Sequence, residues 1–354
     1  MKGWSAMKKY NVGIVGYGWA AEAHIPAINA GPLAQVTSIC SSRPLDGKEL
    51  AAKHGCPLRV FNDLGAMLAD KDLHAVSICS YHKQHVEHVL AAARAGKHII
   101  VEKPLALNAQ DLRAIEQAVK AAGVGFCICF ELRFSSQFRA IKSLLDRGLL
   151  GHLHYAEVDY YHGIGPWYRG FRWCTTKRDC GSSLLEAGCH ALDALLLCMG
   201  GEVDEVFTYS SKSGHPAYAP YEYPPSTVTV LKFRNGAAGK CASVIDCWQP
   251  YYFHTHLVGS EGSLLDNKFH SNLIEGTSRE DWGRLSVKPV DSGDVHDHPY
   301  QAQFEAFFAA LDQGKDMPLT GLCDAVRTDE VIFAAMLSEE FRRPVKLEEL
   351  RAAR

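Results

Sequence analysis

Gly13-Ile14-Val15-Gly16-Tyr17-Gly18-Trp19-Ala20-Ala21 is the stretch that decides how the N-terminal half folds. It continues the alternating apolar residues Tyr10, Val12 and Ile14, so its glycines fall where a buried strand turns sharply into a helix. Gly16 permits the tight turn, Gly18 lets the backbone approach a pyrophosphate, and Ala21 is small enough for close helix–strand packing. The helix N-terminus beyond offers unpaired N–H groups and a partial positive charge to phosphates. Tyr17, Trp19 and Ala20 share this loop and count with Gly16, Gly18 and Ala21 as candidate cofactor contacts.

Working outward, Val36–Cys40 reads as the second strand, and the residues just beyond it discriminate between nicotinamide nucleotides. A carboxylate there would accept from the adenosine ribose and repel a 2′-phosphate. Ser41, Ser42 and Arg43 stand there instead, two hydroxyls and a cation suited to a phosphate, or else a solvated loop. NADP(H) is therefore favoured and NAD(H) remains possible, because Asp46 lies close by.

The short apolar Val60-Phe61 comes next, followed by the strand Ala75–Cys79, which runs into Ser80-Tyr81-His82 and a helix over Gln84–Ala95 that carries His85 in its first turn; Ser80, Tyr81, His82 and His85 are candidate cofactor contacts. His98–Val101 follows, ending in Glu102-Lys103-Pro104. Asn108 caps a helix that ends at Gly123, and the strand Val124–Phe130 completes six candidates alternating with helices. Such alternation predicts an α/β doubly wound parallel sheet over residues 1–130. After Phe130 the pattern changes. A helix at Ser135–Arg147, a strand at Leu153–Tyr161 and a long apolar helix at Ser182–Met199 precede strands at Val203–Ser210, Thr227–Phe233, Ala237–Cys247 and Tyr252–Gly259. Short turns between these strands predict a mostly antiparallel sheet in an α+β domain over residues 131–354, closed by helices at Tyr300–Leu311 and Cys323–Glu340.

At 354 residues the chain has room for two domains. Thirty-seven basic against forty acidic side chains give a net charge of −3, which offers no general attraction to nucleic acid. The N-terminus lacks the apolar core of a signal peptide, and no apolar run is read as reaching the ~20 residues that span a bilayer. These features predict a cytoplasmic protein with a small-molecule partner and neither membrane nor nucleic-acid binding. Twelve cysteines occur without a CxxC pair, so they read as apolar thiols. His254/His256 and His296/His298 have no carboxylate at a recognised ligand spacing, and no metal is expected.

Ala91-Ala-Ala-Arg-Ala-Gly96-Lys-His-Ile-Ile-Val-Glu102-Lys103-Pro104-Leu-Ala106 resembles the signature of the glucose-fructose oxidoreductase / inositol dehydrogenase / MocA (Gfo/Idh/MocA) family. Gly16-Tyr17-Gly18, the run Gly181-Ser-Ser-Leu-Leu-Glu186-Ala-Gly188-Cys-His190-Ala-Leu-Asp193 and the closing Arg342-Arg-Pro-Val-Lys346 agree with it in order and spacing. The resemblance implies a Rossmann domain followed by a domain with a large open sheet. It also implies hydride transfer between NAD(P) and a carbinol carbon of a sugar, cyclic polyol or related compound, and a homo-oligomer, dimer or tetramer, formed through the C-terminal sheet. Relatives that retain the cofactor through a redox cycle, or a non-catalytic sensor, are the alternatives.

Glu102-Lys103-Pro104 ends a strand at the carboxyl edge of the sheet, where ligands bind in such folds. A lysine there can donate to a substrate hydroxyl and to the oxygen anion that develops as hydride leaves. The resemblance assigns this role to Lys103, adds Glu102 as a cofactor contact, and implies a cis Lys103–Pro104 bond. Glu186 and His190, four apart in an expected helix, share one face. The resemblance makes His190 the proton acceptor, with Glu186, where the family usually has aspartate, orienting substrate. Ser80-Tyr81-His82 replaces the family's Thr-Pro-Asn, and Glu131 stands where Asn is common. Arg133 reads as a cofactor or substrate contact, or as the partner of Glu131. Tyr160, His162, Trp167 and Arg172 form an aromatic, basic stretch that either reads a sugar or packs on its own domain.

Overall fold

A computed structural model describes residues 9–352. The chain divides into two compact units. The first contains the residues through Ala106, Gln110–Glu131 and the returning segment Pro299–Ala325; the second contains Leu107–Ala109, Leu132–His298 and the residues from Val326 onward. The division at Glu131/Leu132 lies one residue from the expected boundary, but the first unit also takes a C-terminal segment that the single-boundary reading gave to the second.

In the first unit β1 (Tyr10–Val15), α1 (Trp19–Ala30), β2 (Ala34–Cys40), α2 (Gly47–His54), β3 (Arg59–Phe61), α3 (Leu64–Leu68), β4 (Ala75–Ile78), α4 (His85–Arg94), β5 (His98–Val101), α5 (Ala109–Ala122) and β6 (Phe126–Ile128) alternate. The six strands lie in the order β3-β2-β1-β4-β5-β6, all parallel. The order reverses direction at β1/β4, and it is beyond the carboxyl ends of strands at such a switch point that ligands bind. Every residue of β4 and β6 is buried, as strands covered by helices on both faces must be.

The second unit is built from α6 (Ser136–Asp146), β7 (Leu153–Tyr161), α7 (Phe171–Cys174), α8 (Lys177–Cys180), α9 (Cys189–Met199), β8 (Val203–Ser211), β9 (Ser226–Phe233), β10 (Ala238–Val244), β11 (Tyr252–Gly259), β12 (Gly262–Leu265), β13 (Lys268–Ser271), β14 (Gly283–Arg284) and β15 (Val345–Lys346). They make a nine-stranded sheet, β14-β13-β12-β11-β7-β10-β9-β8-β15. Its pairings are antiparallel except β7 with β10, which run parallel because the segment from α7 to β9 intervenes. β12 to β15 were not read from sequence, being only two to four residues each. β9 alternates buried and exposed residues, so one sheet face lies against helices and the other faces outward.

The C-terminal return explains the discontinuous division. α10 (Tyr300–Asp312) packs on α1. Gln303 donates to Ile128 O at 2.7 Å, satisfying the end of β6, and Phe308 lies 5.6 Å from Tyr10. α11 (Leu322–Phe341) and α12 (Leu347–Ala352) complete the chain, and α12 packs on β8.

Contrary to the sequence reading, one stretch, Lys177–Met199, is long and apolar enough to cross a membrane. It is 89% buried within the protein, which identifies it as a core helix. Nor is it a continuous α-helix: Leu184–Gly188 forms a π-helical turn ahead of α9. A Cβ on Gly188 would stand 2.5 Å from the Ser243 Cβ, so glycine is what allows this turn to lie directly on β10. Gly188→Ala is expected to destabilise the protein by about 1–3 kcal/mol through overpacking, read as a shifted denaturation midpoint. A midpoint equal to wild type would refute the close-packing account.

Candidate active site

The nucleotide loop has the geometry its sequence requires. Gly16 has φ +87°, and a Cβ there would stand 2.9 Å from the Ser80 backbone. Gly18 N-caps α1 without any side-chain cap, and its missing Cβ would meet nothing within 4 Å. The first turn, Trp19-Ala20-Ala21, therefore sets a helix N-terminus that has no side-chain cap from Gly18 beside an open cradle, which fits a pyrophosphate. Tyr17 reaches the His54 Nε2 at 2.9 Å.

Beyond β2, Ser41 is buried and accepts the Arg43 N–H at 3.1 Å, whereas Ser42 and Arg43 are exposed. The Arg43 guanidinium donates to the Tyr17 carbonyl, tying this loop to the glycine turn. Asp46, the one acidic residue that qualified the nucleotide reading, caps α2 by accepting from Lys48 N at 2.7 Å and Glu49 N at 3.2 Å. Its carboxylate already has helix N–H partners.

At the end of β5 the Lys103–Pro104 bond is cis, as expected. Lys103 is half-buried. Glu102 is buried and its carboxylate is engaged by protein: Oε1 receives His24 Nε2 at 2.9 Å and Tyr300 OH at 2.8 Å, and Oε2 lies 3.3 Å from Lys103 N. Burial alone would raise the Glu102 pKa, but His24 and Lys103 hold it well below the usual carboxylate range. Burial alone would lower the His24 pKa; Cys79 and Glu102 outweigh it and raise it to about 10. Glu102 thus anchors this loop through three protein contacts.

His85 is likewise a fastening group. Its Nδ1 is 2.7 Å from Pro104 O and its Nε2 is 3.1 Å from Ser80 O, joining the loops after β4 and β5. Burial lowers its pKa, against the two carbonyl contacts, which raise it. Ser80 Oγ is 2.9 Å from His88 Nδ1, and Tyr81 is exposed. His82 is buried, and its pKa is held well below normal by burial and by the Lys103 charge, leaving a neutral ring. Burial and the Glu102 charge raise Glu131 to about 8. A protonated carboxyl has one donor and one acceptor side, as the family's amide would.

In the second unit Glu186 lies in the π-helical turn and His190 in the first turn of α9; they are 4% and 6% exposed. The sequence reading put both on one face of a regular helix. The wider turn changes that register, and π-bulges occur frequently at functional sites. The Cys180 thiol donates to Glu186 Oε2 at 3.0 Å. Tyr221 and Tyr223 pack nearby, their pKa values raised by burial first and then by neighbours that include Glu186. Their hydroxyls donate to Ile164 O and Cys174 O.

Arg133 is placed differently from expectation. It is buried and forms a two-pronged ion pair with Asp193, Nε to Oδ2 and Nη2 to Oδ1, both 2.6 Å. Thr328 also donates to Asp193 at 2.9 Å. These contacts hold the start of the second unit to α9 and α11, and they give Arg133 Asp193 as its ion-pair partner in place of the expected Glu131. Tyr160 is buried with its hydroxyl 2.9 Å from His162 Nδ1. Trp167 donates to Gly163 O at 3.0 Å and is tilted against Trp248 with both rings exposed, and Arg172 on α7 is exposed. His254 and His256 do acquire a carboxylate, Glu157, across the β7/β11 pairing, which linear spacing hides. The Lys240 ammonium already bonds Glu157 and lies 2.7 Å from Asp159.

Sequence reasoning missed His24, Tyr300, Cys180 and the Asp193 pairing. His24 carried a readable signal, a histidine among small and apolar residues in α1; Tyr300 carried none, because 198 residues separate it from Glu102.

A model of the oxidoreductase family with an NAD-binding Rossmann fold matches residues 10–130, and a GFO/IDH/MocA C-terminal domain model matches residues 138–265. The chain belongs to the Gfo/Idh/MocA oxidoreductase family. It is a nicotinamide-nucleotide-dependent dehydrogenase or reductase acting on CH–OH groups. It is 25% identical to the myo-inositol 2-dehydrogenase of Thermotoga maritima over 96% of this chain and 99% of that one. It is 25% identical to the levoglucosan dehydrogenase of Pseudarthrobacter phenanthrenivorans over 83% and 82% of the two chains. The crystal structure of a probable dehydrogenase from Thermotoga maritima superposes with a TM-score of 0.81 at 25% identity, covering 96% of this chain and 99% of that one.

Asp193→Ala, which strands Arg133 as a buried cation, should cost about 3–5 kcal/mol of stability. Urea denaturation measures it, and a loss below about 1 kcal/mol, the size of an exposed pair, would refute the buried-pair account.

Proposed function

We propose that this enzyme oxidises a carbinol carbon of a sugar or cyclic polyol, or reduces the corresponding carbonyl, with NADP(H) preferred. The observation that carries the reading is Lys103, set at the carboxyl end of a parallel strand by an anchored Glu102, in a chain matched to this family through both modules. The substrates named for the inositol and levoglucosan enzymes support a polyhydroxylated ring. Gly16, Gly18 and the first turn of α1 would hold the pyrophosphate. When bound, the nicotinamide accepts or returns the hydride. Lys103 donates a hydrogen bond to the substrate oxygen and stabilises its developing negative charge. His190 takes up the hydroxyl proton during oxidation and returns it during reduction. Glu186, held by Cys180, orients the substrate hydroxyls, and Trp167, Tyr160, His162 and Arg172 are the further candidates for substrate recognition.

The NADP preference rests on chemistry at the end of β2. Ser42 and Arg43 are exposed there, and the nearby Asp46 directs one carboxylate oxygen to a helix cap. We place the enzyme in the cytoplasm, in accord with its twelve free cysteines. Association of copies through the sheet accords with Tyr209, Val228 and Val230, exposed together on paired strands β8 and β9.

Lys103→Ala should lower turnover by more than about a hundredfold, measured by nicotinamide absorbance with inositols and anhydrosugars; near-normal turnover sinks the assignment. Arg43→Ala should weaken NADPH binding by about tenfold while leaving NADH within about twofold. Equal losses for both nucleotides, or none, would refute the phosphate role.

A further inference from the structure

We infer that His24 and Tyr300 are positioning residues for the reaction, acting on Lys103 through the Glu102 carboxylate. The inference rests on the reading of Lys103 as the group that polarises the substrate oxygen.

His24 is fully buried in α1, and its ring is fixed from both ends. Nδ1 lies 2.8 Å from Ser77 Oγ and 3.3 Å from Cys79 Sγ on and just beyond β4. Nε2 lies 2.9 Å from Glu102 Oε1 and 3.9 Å from Cys129 Sγ beyond β6. Tyr300, at the start of α10, adds its hydroxyl to the same Oε1 and its ring to the imidazole, with centroids 4.5 Å apart. Phe304, one turn on, closes the ring's surroundings at 4.9 Å. The other carboxylate oxygen faces the backbone N–H of Lys103. Glu102 therefore carries a restraint from two helices and a strand end to the residue that bears the amine.

Stability alone does not account for this arrangement. A buried ion pair is commonly no more stabilising than apolar side chains of the same volume, because both ions lose their hydration. What the pair does provide is a fixed charge balance beside Lys103. With His24 cationic, the Glu102 negative charge is matched within the core. Without that cation, the carboxylate would be compensated chiefly by Lys103, whose ammonium it would attract and whose proton it would hold more tightly. The other titratable groups that feel this carboxylate are His82 and His85, whose pKa values burial lowers, Cys127 and Cys129, whose thiols burial pushes up, and Glu131, raised to about 8; none supplies a replacement cation at neutral pH.

The test compares His24→Gln, Tyr300→Phe and Lys103→Met in the full-length enzyme, measuring kcat, KM, NADPH affinity by fluorescence titration, and the pH dependence of kcat. His24→Gln keeps an N–H donor of similar reach and removes the charge. The expected result is a kcat lowered by about tenfold or more, nucleotide affinity within about twofold, and a basic limb of the kcat profile moved to higher pH. Tyr300→Phe, which removes one hydroxyl and no charge, should lower kcat by about threefold with nucleotide affinity unchanged and the limb in place. Unchanged kcat in both variants overturns the inference, as does a parallel loss of kcat and nucleotide affinity with an unmoved pH profile, the mark of a merely structural role. Should His24→Gln fail to fold, Tyr300→Phe decides the matter: kcat lowered with nucleotide affinity intact supports the inference, and an unchanged kcat or a parallel loss of both overturns it. Lys103→Met separates the two readings: normal turnover there defeats the assignment of Lys103 itself, whereas a dead Lys103→Met beside a normal His24→Gln defeats only the positioning role.

Discussion

A carboxylate buried at the end of a parallel strand must be supplied with partners, and much of the first unit is arranged around meeting that demand at Glu102. An isolated ion there would shift its pKa and neutralise. Instead His24 arrives from the helix that follows the glycine turn, and Tyr300 arrives from a helix nearly two hundred residues later in the chain. The return of α10 to the nucleotide-binding unit is thus fastened by a polar contact at its first residue. Gln303, Phe304 and Phe308 extend the same attachment along the helix.

The second unit solves a similar problem at α9. Asp193 is wholly buried in a largely apolar helix, one turn on from His190, and Arg133 and Thr328 satisfy it from two separate segments. Immediately before that helix, Gly188 brings the backbone onto β10, and the chain accommodates the approach with a π-helical turn that carries Glu186. Local irregularity and functional candidates coincide here, because the same wide turn that spoils a regular helix re-aims its side chains.

Much of this was legible in the residues. The strands β1, β2, β4 and β5, the glycine turn and the helices between them follow from periodicity and from backbone requirements that act over a few residues. Gly16 is an example: its positive φ and the 2.9 Å approach of Ser80 are local consequences of a tight turn. The edge strands β12 to β15 were not legible, since a pairing of two to four residues has too little pattern to read. The ion-pair partner of Arg133 was not legible for a different reason. Its nearest acidic neighbour in sequence is Glu131, yet its partner lies 60 residues on.

Sequence by itself determined the doubly wound first sheet, the mostly antiparallel second sheet and the family, and it nominated Lys103, Glu186 and His190 for the proposed chemistry, because these depend on short-range pattern and motif. Tertiary structure alone decided which charges neutralise one another: His24 with Glu102, Arg133 with Asp193, and Lys240 with Glu157 and Asp159. A buried charge chooses its partner by distance in space and by the loss of water around it. Neither quantity is written in the spacing of residues along the chain.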